Sequence, residues 1–450
     1  MSSGVPVLYA QPESLSVPFS VLGDDLKSFK GARSVVRSVR SSSGNAGPNS
    51  SMLFNLPTGG YSFIKSNSMY LRFKLVVQQD HQAAGSGVEP AEWGFAGQGS
   101  TDAQNYGGAS SLINRISCSM GGQTLTWGNY NTFMNAVVKG HCSSAEYTTT
   151  DLRQAEFAGV MRLNDTSDEK NRTVYVAIPL WIPCFCSSQN FPALLLNSPI
   201  SIEILTESLN KALYSKQKDI TNYEITDASI VYETLDVSRE FKDAMLASKA
   251  GGFYSTHLSN YLSVGPNAST ASMRMQVGVG FSSLKSILFT EAVSNPAVSD
   301  KKYFTSNGLS NYTILQDNFP VSVPNITDDA VAFLEVNRAL QKINDSNLTS
   351  SINIIDNTRA TNLRSTYADY NFLGGASTQV ISDYNFSSLG TECSSITLEL
   401  DHARGADGAV RWQTAAAHNA GGVAHSVHVF LLHDTILSVN VSDGTVQVRN

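Results

Sequence analysis

Charged residues are scarce in this chain of 450 residues: Asp, Glu, Lys and Arg together make up only 15% of it. Long surface helices need charged faces, so the low charge favours short strands joined by turns, which the 33 glycines also suit. A net charge of −7 disfavours a protein that coats nucleic acid. The length fits three domains of about 150 residues or two large β domains of about 200–250 residues.

Long apolar runs are also missing. No stretch approaches the roughly 18–20 uninterrupted apolar residues that a membrane-spanning helix needs. The N-terminal sequence MSSGVPVLYAQPESLSV lacks the basic residues followed by an apolar segment that mark a secretion signal. We therefore expect a protein that is synthesised and assembled inside the cell and is not secreted through a signal peptide.

Cysteines are few, and their number is odd. The five are Cys118, Cys142, Cys184, Cys186 and Cys393, without the spacing of a disulfide framework. If PCFC formed a strand, its two cysteines would share one face. No second CxxC or His-x-His pair lies nearby, so reduced, buried thiols are favoured over a zinc site.

Sequence fingerprints of catalysis are absent: no GxGxxG, GKS, GKT, GxSxG or HExxH sequence occurs. The stretch MGGQTLTWGNYNTFMNAVV (120–138) has a glycine pair, but Gln123, Thr124 and Leu125 follow it and cannot serve a phosphate loop. We interpret the glycines as a hairpin turn between two strands. A short helix follows, N-capped by Asn129 or Asn131.

Neither the histidines nor the clustered acids form a convincing metal site. On a strand, His425 and His433 would share a face about 26 Å apart, with His428 on the opposite face, so histidines that pack or lie at a rim are favoured. The segment LELDHARGADG lacks the ligand pattern of a calcium loop. It predicts a flexible acidic loop, with adventitious cation binding as the alternative, containing Glu399, Asp401 and Asp407.

Strand patterns dominate the first half of the chain. YLRFKLVV (70–77) and SPISIEILTES (198–208) alternate apolar and polar residues, which is typical of strands with one buried face. TVYVAIPLWIP (173–183) is more continuously apolar and predicts a strand covered on both sides. YEITDASIVYETLDV (223–237) predicts another strand or a pair of strands.

Two helices interrupt the strand patterns. Ser238 is suited to cap a helix that ends before Gly251-Gly252, and Thr327 to cap a helix over 327–344. Strands restart with FYSTHLSNYLSV, MRMQVGVGF and SLKSILFTEA, continue at ITLEL (396–400), and end in a hairpin at Asp443-Gly444. Both halves thus have strands, a helix and further strands, which suggests a duplicated domain of about 200 residues of the two-sheet jelly-roll type.

In order along the chain, five segments resemble the double jelly-roll major capsid proteins of polinton-like viruses and virophages, of the adenovirus hexon lineage: SVVRSVRSSSG, SMLFNLPTGGYSFIKSNSMYLRFKLVV, INRISCSMGGQTLTWGNYNTFMNAVV, NFPALLLNSPISIEILTES and VHVFLLHDTILSVNVSDGTVQV. The resemblance covers nearly the whole chain from about Arg33. It implies an all-β fold of two tandem eight-stranded jelly rolls with short inserted helices. We expect an N-terminal arm (1–30), a first jelly roll (31–237), a linking helix (238–252) and a second jelly roll (253–450).

The resemblance further implies a structural protein of the virion, not an enzyme, with no cofactor and no small-molecule substrate. Such proteins form homotrimers that serve as pseudo-hexameric capsomers and tile an icosahedral DNA-virus shell. The implied partners are other copies of the chain, penton proteins, and minor or cement capsid proteins. Obligate contacts bury on the order of 2,000–5,000 Å². We expect segments 79–110 and 290–325 to supply most of the loop surface buried in the trimer.

Basic residues cluster near the N-terminus without an acidic residue among them: Lys27, Lys30, Arg33, Arg37 and Arg40. On a helix they would share much of one face, whereas on a strand Arg37 and Arg40 would lie on opposite faces. The functional hypothesis is an arm on the inner capsid surface that contacts the genome, a cement protein or an internal membrane. A solvated rim is the simpler interpretation.

Two other classes remain as alternatives. A two-domain β-sandwich lectin or adhesin would need exposed aromatic platforms or a calcium loop. A glycoside hydrolase would need two carboxylates about 5–10 Å apart. The tryptophans that could line a sugar groove are Trp93, Trp127, Trp181 and Trp412, although single tryptophans are more often found in cores or interfaces.

Overall fold

The structure is a computed structural model in which fourteen ranges of the chain are described. The described residues are 33–79, 92–95, 108–138, 160–162, 171–186, 190–215, 220–248, 252–265, 267–268, 272–293, 309–340, 373–378, 390–402 and 425–450. The predictions for Lys27, Lys30, Cys142, Asp407 and Trp412 lie outside these residues.

The first unit comprises the described residues from Arg33 to Asp236. Its strands are β1 (Arg33–Arg40), β2 (Ser51–Leu56), β3 (Ser62–Ile64), β4 (Tyr70–Gln79), β5 (Glu92–Phe95), β6 (Ile113–Met120), β7 (Gln123–Trp127), β8 (Val160–Arg162), β9 (Asn171–Pro179), β10 (Ile200–Thr206), β11 (Leu213–Ser215) and β12 (Ile220–Asp236). Its helices are α1 (Tyr130–Thr132), which continues as a π-helical segment (Phe133–Val138), and α2 (Leu209–Ala212). Short 3₁₀ turns occupy Ala109–Leu112, Pro183–Phe185 and Ala193–Leu195.

Helix α3 (Arg239–Ser248) leads to the second unit, which comprises the described residues from Phe253 to Arg449. Its strands are β13 (Phe253–Val264), β14 (Asn267–Ala268), β15 (Ser272–Val293), β16 (Leu309–Gln316), β17 (Phe319–Pro320), β18 (Gly374–Ser377), β19 (Thr391–His402), β20 (His425–Asn440) and β21 (Val446–Arg449). Helix α4 (Asp329–Ala339) follows β17.

The strands of the first unit have the order of a jelly roll. One sheet runs β1-β12-β4-β9, with β3 alongside β12, and the other runs β2-β10-β6-β7. If the short strands β3, β5, β8 and β11 are left out, the first sheet contains the first, eighth, third and sixth strands. The second sheet contains the second, seventh, fourth and fifth. Two antiparallel sheets that share eight strands in this way form a jelly roll.

The second unit has the same strand order if the long strand β15 is counted twice, because its first part belongs to one sheet and its second part to the other. Residues 272–284 of β15 pair with β19, whereas residues 284–293 pair with β20 and residues 286–289 pair with β18. The two ladders are therefore β13-β20-β15-β18 and β15-β19-β16-β17. Two separate strands were predicted here. Register shifts beside Gly278 and Leu284 let a single strand change partners.

Alternation correctly predicted the buried faces of β4 and β10. The apolar residues Leu71, Phe73 and Leu75 are fully buried, as are Ile202 and Ile204. Because the side chains of a strand alternate between faces, a single pattern fixes which face meets the core.

The prediction that 173–183 is covered on both sides is wrong for β9. Tyr175 is 71% exposed, while Val176 and Ile178 are buried. Strand β9 ends its sheet, and the core covers only one of its faces. Apolar residues alone therefore did not imply burial.

The two predicted helices exist, with one correction. Helix α3 begins after Ser238, whose Oγ accepts a hydrogen bond from the Phe241 amide at 3.3 Å. Helix α4 is capped by Asp328 and not by Thr327: the Asp328 carboxylate accepts from the amides of Ala330 (2.7 Å) and Val331 (3.3 Å). Thr and Asp are both good N-cap residues, so the sequence alone did not indicate which of Thr327 and Asp328 caps the helix.

The PCFC sequence forms a 3₁₀ turn, so the strand in which its two cysteines would share a face does not form. Both cysteines are free thiols, with Cys184 buried and Cys186 partly buried. Burial, reinforced by the adjacent Cys118, raises the pKa of the Cys184 thiol well above its usual value, so that thiol stays protonated. The acidic residues Glu399 and Asp401 lie on strand β19 rather than in a loop, because β19 extends to His402.

We predict that Asp328→Ala lowers the free energy of unfolding by about 0.5–2 kcal/mol, because two amides of the first turn of α4 lose their acceptor. Thr327→Ala is the matched control, since it changes an exposed neighbour that does not cap the helix. Urea denaturation of both variants measures the effect. Equal losses in the two variants would contradict the assignment of the cap.

Candidate functional site: the joint between the two units

The glycine pair of residues 120–138 forms the turn of the β6–β7 hairpin, as the sequence predicted. Gly121 and Gly122 both have positive φ angles, of 52° and 84°. The Val446 amide donates to the Gly121 carbonyl at 3.0 Å. A Cβ on Gly121 would lie 2.5 Å from Val446 Cγ2 and 2.8 Å from the Gly444 carbonyl oxygen. The hairpin of the first unit is therefore packed directly against strand β21 of the second unit.

Hydrogen bonds join the end of this hairpin and the two residues after it to strand β13. Three of them cross between the units: Trp127 Nε1 to Asn260 Oδ1 (2.7 Å), Asn129 Nδ2 to Ser263 Oγ (2.8 Å), and Tyr261 Oη to the Gly128 carbonyl (3.2 Å). Trp127 and Asn260 are both buried. Breaking one buried bond leaves a desolvated polar group without a partner, which costs about 1–3 kcal/mol, so this contact fixes the relative position of the strands.

We call the contact between the two units the joint, and an aromatic cluster fills its centre. The ring of Phe133 stacks on Tyr261 with centroids 3.8 Å apart and planes at 11°. The centroids of Trp181 and Phe430 lie 4.9 and 5.5 Å from that of Phe133. The Trp181 amide donates to Tyr130 Oη at 2.9 Å, which ties the helical segment to the turn after β9. Aromatic pairs add about 0.5–1.5 kcal/mol each beyond the area that they bury.

The joint covers the outer face of the second unit's sheet around Phe430. Phe430 is completely buried and belongs to the same apolar cluster as the core of the first unit. Its neighbours on β20, Val429 and Leu431, belong to the separate core of the second unit. Because side chains alternate along a strand, β20 around Phe430 has one face in its own core and the other against the first unit. Further along β20, Leu437 and Val439 share the face of Val429 and Leu431 but pack in the apolar cluster of the first unit.

The three described basic residues of the predicted arm lie on strand β1. The strand alternative applies: Arg33 and Arg37 lie on one face and Arg40 on the other. Arg37 forms an ion pair with Asp236, with Nη2 3.2 Å from both carboxylate oxygens, and its Nε donates to Thr234 Oγ1 at 3.0 Å. The structure therefore divides the three described basic residues between the two faces of β1.

Two of the predicted histidines are packing residues in β20. His433 is buried and stacks on Phe281 with centroids 4.1 Å apart. Burial lowers the pKa of His433 to about 4. Burial also lowers the pKa of His428 to about 4, and the positive charge of Lys211 from the first unit adds to the effect. Both rings are therefore neutral near pH 7.

Sequence reasoning missed a buried ionic cluster where β15 changes partners. The Asp434 carboxylate lies 2.5 Å from Lys285 Nζ and 2.8 Å from His257 Nε2, and it accepts from Ser283 Oγ at 2.6 Å. Burial alone would raise the pKa of Asp434, but these hydrogen bonds outweigh it and lower the pKa. The cluster links β13, β15 and β20. No local sequence signal marks it, because its members are far apart in the chain.

The described tryptophans do not line an open groove. Trp93 and Trp127 are buried, and Trp181 packs in the joint. Within the described ranges, no helix has the length and apolar character needed to cross a membrane. Likewise, no group of three or more His, Cys, Asp or Glu side chains among the described residues is placed to hold a metal ion.

We predict that Gly121→Ala destabilises the protein by more than about 2 kcal/mol, because a Cβ must displace β21 in addition to the left-handed backbone cost of about 1–2 kcal/mol. Gly122→Ala is the matched control, since its φ is also positive but nothing lies within 4 Å of the added Cβ. Urea unfolding of both variants gives the difference. If both substitutions lower the free energy of unfolding by the same amount, the close contact between Gly121 and β21 does not stabilise the joint.

Comparison with known proteins gives matches at the level of structure alone. No protein-family model and no curated protein sequence matches the chain. PBCV-1 VP54, as fitted into a cryo-EM reconstruction of the virophage Sputnik, superimposes with a TM-score of 0.56 at 10% identity, covering 93% of this chain and 97% of that chain. A quasi-atomic model of the PBCV-1 virus capsid gives a TM-score of 0.54 at 10% identity with the same coverage.

The mavirus major capsid protein gives a TM-score of 0.49 at 9% identity, covering 92% of this chain and 90% of that chain. The two PBCV-1 matches span both units, and the strand order of each unit is that of a jelly roll. The fold that the sequence indicated is therefore confirmed: the chain is a double jelly roll with the fold of a viral major capsid protein.

Proposed function

We propose that this chain is the major capsid protein of an icosahedral DNA virus. The observation that carries the proposal is the extent of the match: nearly the whole chain superimposes on nearly the whole of PBCV-1 VP54. A fold can serve many functions, so similarity in one region would support little. Here the superimposed region covers 93% of this chain and therefore spans both units.

The proposed assembly follows from the two equivalent units. Three copies in a closed ring would present six jelly rolls, which gives a pseudo-hexameric capsomer that can tile a shell. Most soluble homo-oligomers form closed symmetric assemblies of this kind. The proposal places the protein in the virion as a structural component without enzymatic activity. Its partners would be other capsomers, penton proteins, and minor or cement proteins.

The proposed boundaries follow the sheets. All described strand pairing before residue 237 stays within the first unit, and all described pairing after residue 252 stays within the second. We place the first jelly roll at 31–237, the linking helix at 238–252 and the second jelly roll at 253–450. Residues 1–30 would then form an N-terminal arm.

We predict that the 48.4 kDa chain assembles into a trimer of about three times that mass. Size-exclusion chromatography with light scattering measures the mass, and negative-stain imaging of the same peak shows the shape. Hexagonal blocks or shells are the expected particles. A stable monomer at micromolar concentration would overturn the proposal and favour the glycan-binding alternative, which glycan arrays would then test.

The basic N-terminal residues are proposed to contact the genome or an internal membrane at the inner surface. Arg37 is engaged by Asp236, which leaves Lys27, Lys30, Arg33 and Arg40 of the predicted set for the contact. Neutralising these four residues to Gln should reduce genome or membrane retention in assembled particles while leaving trimers intact. Arg274→Gln in the second unit is the control. Unchanged retention in the quadruple variant would contradict the contact.

A further inference from the structure

The ionic cluster around Asp434 places three different functional groups on one carboxylate. Lys285 Nζ and His257 Nε2 both contact the same oxygen, Oδ1, at 2.5 and 2.8 Å. The other oxygen, Oδ2, accepts a hydrogen bond from Ser283 Oγ at 2.6 Å. The Gly390 amide donates to Ser283 Oγ at 2.9 Å, which leaves the hydroxyl hydrogen for Oδ2. An amine and an imidazole therefore meet at one oxygen, and a hydroxyl donor holds the other.

The Lys285–Asp434 pair is withdrawn from solvent, with side chains that are only 15% and 9% exposed. The pair Lys65–Glu233 of the first unit has a nearly equal N–O distance, 2.6 Å, but its side chains are 48% and 35% exposed. Two opposite charges removed from water carry a desolvation penalty that can exceed their attraction. A product without charges would remove that penalty at the buried pair and would gain little at the exposed one.

The backbone that carries the amine is fixed. The register of β15 on β20 shifts between Leu284 and Ser286, which makes Lys285 the extra residue of a bulge. The Lys285 carbonyl accepts a hydrogen bond from the Thr378 amide at 3.0 Å. Groups held in contact by such a frame react as if at an effective concentration of about 10⁵–10⁸ M. A condensation that is negligible between free side chains is therefore favoured here.

We propose that Lys285 and Asp434 are joined by an isopeptide bond that forms spontaneously in the folded second unit. The modification is an amide between Lys285 Nζ and Asp434 Cγ. Water is the leaving group, so the reaction needs no oxidant, cofactor or separate enzyme. The bond would link β15 to β20 covalently at the point where β15 changes partners, and it does not depend on the proposed trimer.

The starting state of the reaction is the ionised pair. Burial raises the pKa of Asp434, but its hydrogen bonds lower it further, so the carboxylate is charged near pH 7. The Lys285 ammonium passes one proton to Oδ1 across their contact and becomes a neutral amine. The nitrogen lone pair then attacks Cγ, and Oδ2 takes the electron pair of the C=O bond with the Ser283 hydroxyl as its donor.

The second proton is assigned to His257. Its imidazole accepts a proton from the nitrogen and passes it to Oδ1, the oxygen that it contacts. The electron pair on Oδ2 re-forms the C=O bond, the C–Oδ1 bond breaks, and Oδ1 leaves as water. One ammonium and one carboxylate are thus converted into one neutral amide and one water molecule.

The intact mass of the full-length protein tests the proposal. The unaltered chain, denatured after folding, should be lighter than its sequence by one water, about 18 Da. Lys285→Arg keeps the positive charge but cannot form the bond, so it should have its full sequence mass. Asp434→Asn should form the same amide with loss of ammonia, about 17 Da. Lys65→Arg is the matched control and should still lose one water, because the exposed pair does not react.

Tryptic digestion of the unaltered chain locates the bond without relying on variants. A branched peptide should contain Lys285 and Asp434, with no cleavage after Lys285. In a time course after refolding, His257→Gln should slow bond formation by about 100-fold or more, because the proton carrier is lost.

Two results would overturn the proposal. One is a full sequence mass with normal cleavage after Lys285 in the unaltered protein, which would show an ion pair and no bond. The other is a loss of water that persists in Lys285→Arg, which would place the dehydration elsewhere, for example in a succinimide at Asp443-Gly444.

Discussion

The structure depends on burial of the outer face of one sheet against the neighbouring unit. A jelly roll has two sheets whose inner faces form its core, and their outer faces are ordinarily left to solvent. Here Phe430 and Tyr261 on the outer face of the second unit's sheet are buried against Phe133 and Trp181. The apolar core of the first unit therefore continues across the joint into the second unit.

This constraint explains several features that otherwise have no common cause. Gly121 has no room for a side chain because β21 lies against its Cα. Asn260 is buried in a strand, where an amide is tolerated because Trp127 satisfies it. Asn129 is the residue before helix α1; its backbone is left-handed, and its side chain donates a hydrogen bond to Ser263 of the second unit. Each residue is suited to a rigid pair of jelly rolls rather than to two independent domains.

Much of the fold could be predicted from the sequence because strand faces and turns depend on residues that are close together in the chain. Alternation in 70–77 and 198–208 gave two core strands, and the glycine pair at 121–122 gave a hairpin turn. The errors also have physical reasons. The apolar content of 173–183 suggested burial on both sides, but whether Tyr175 is covered depends on its neighbours in the sheet and on no property of the strand itself. The cap of α4 was misplaced by one residue because Thr327 and Asp328 suit the role equally.

The joint could not be predicted because it is a contact between distant residues. Asn260 and Trp127 are separated by 133 positions, and nothing in either local sequence marks the pairing. The same holds for the cluster around Asp434, whose partners lie on two other strands, β13 and β15. The resemblance to capsid proteins indicated two jelly rolls in tandem but did not identify the residues that hold one against the other.

The most direct test of this account is a cryo-EM reconstruction of the purified oligomer at side-chain resolution. The account predicts three copies arranged as six jelly rolls, with Phe133 stacked on Tyr261 and Trp127 hydrogen-bonded to Asn260 in every copy. Copies in which Phe430 is exposed, or in which the two units take different relative positions, would contradict the view that the joint holds the two jelly rolls as one rigid pair.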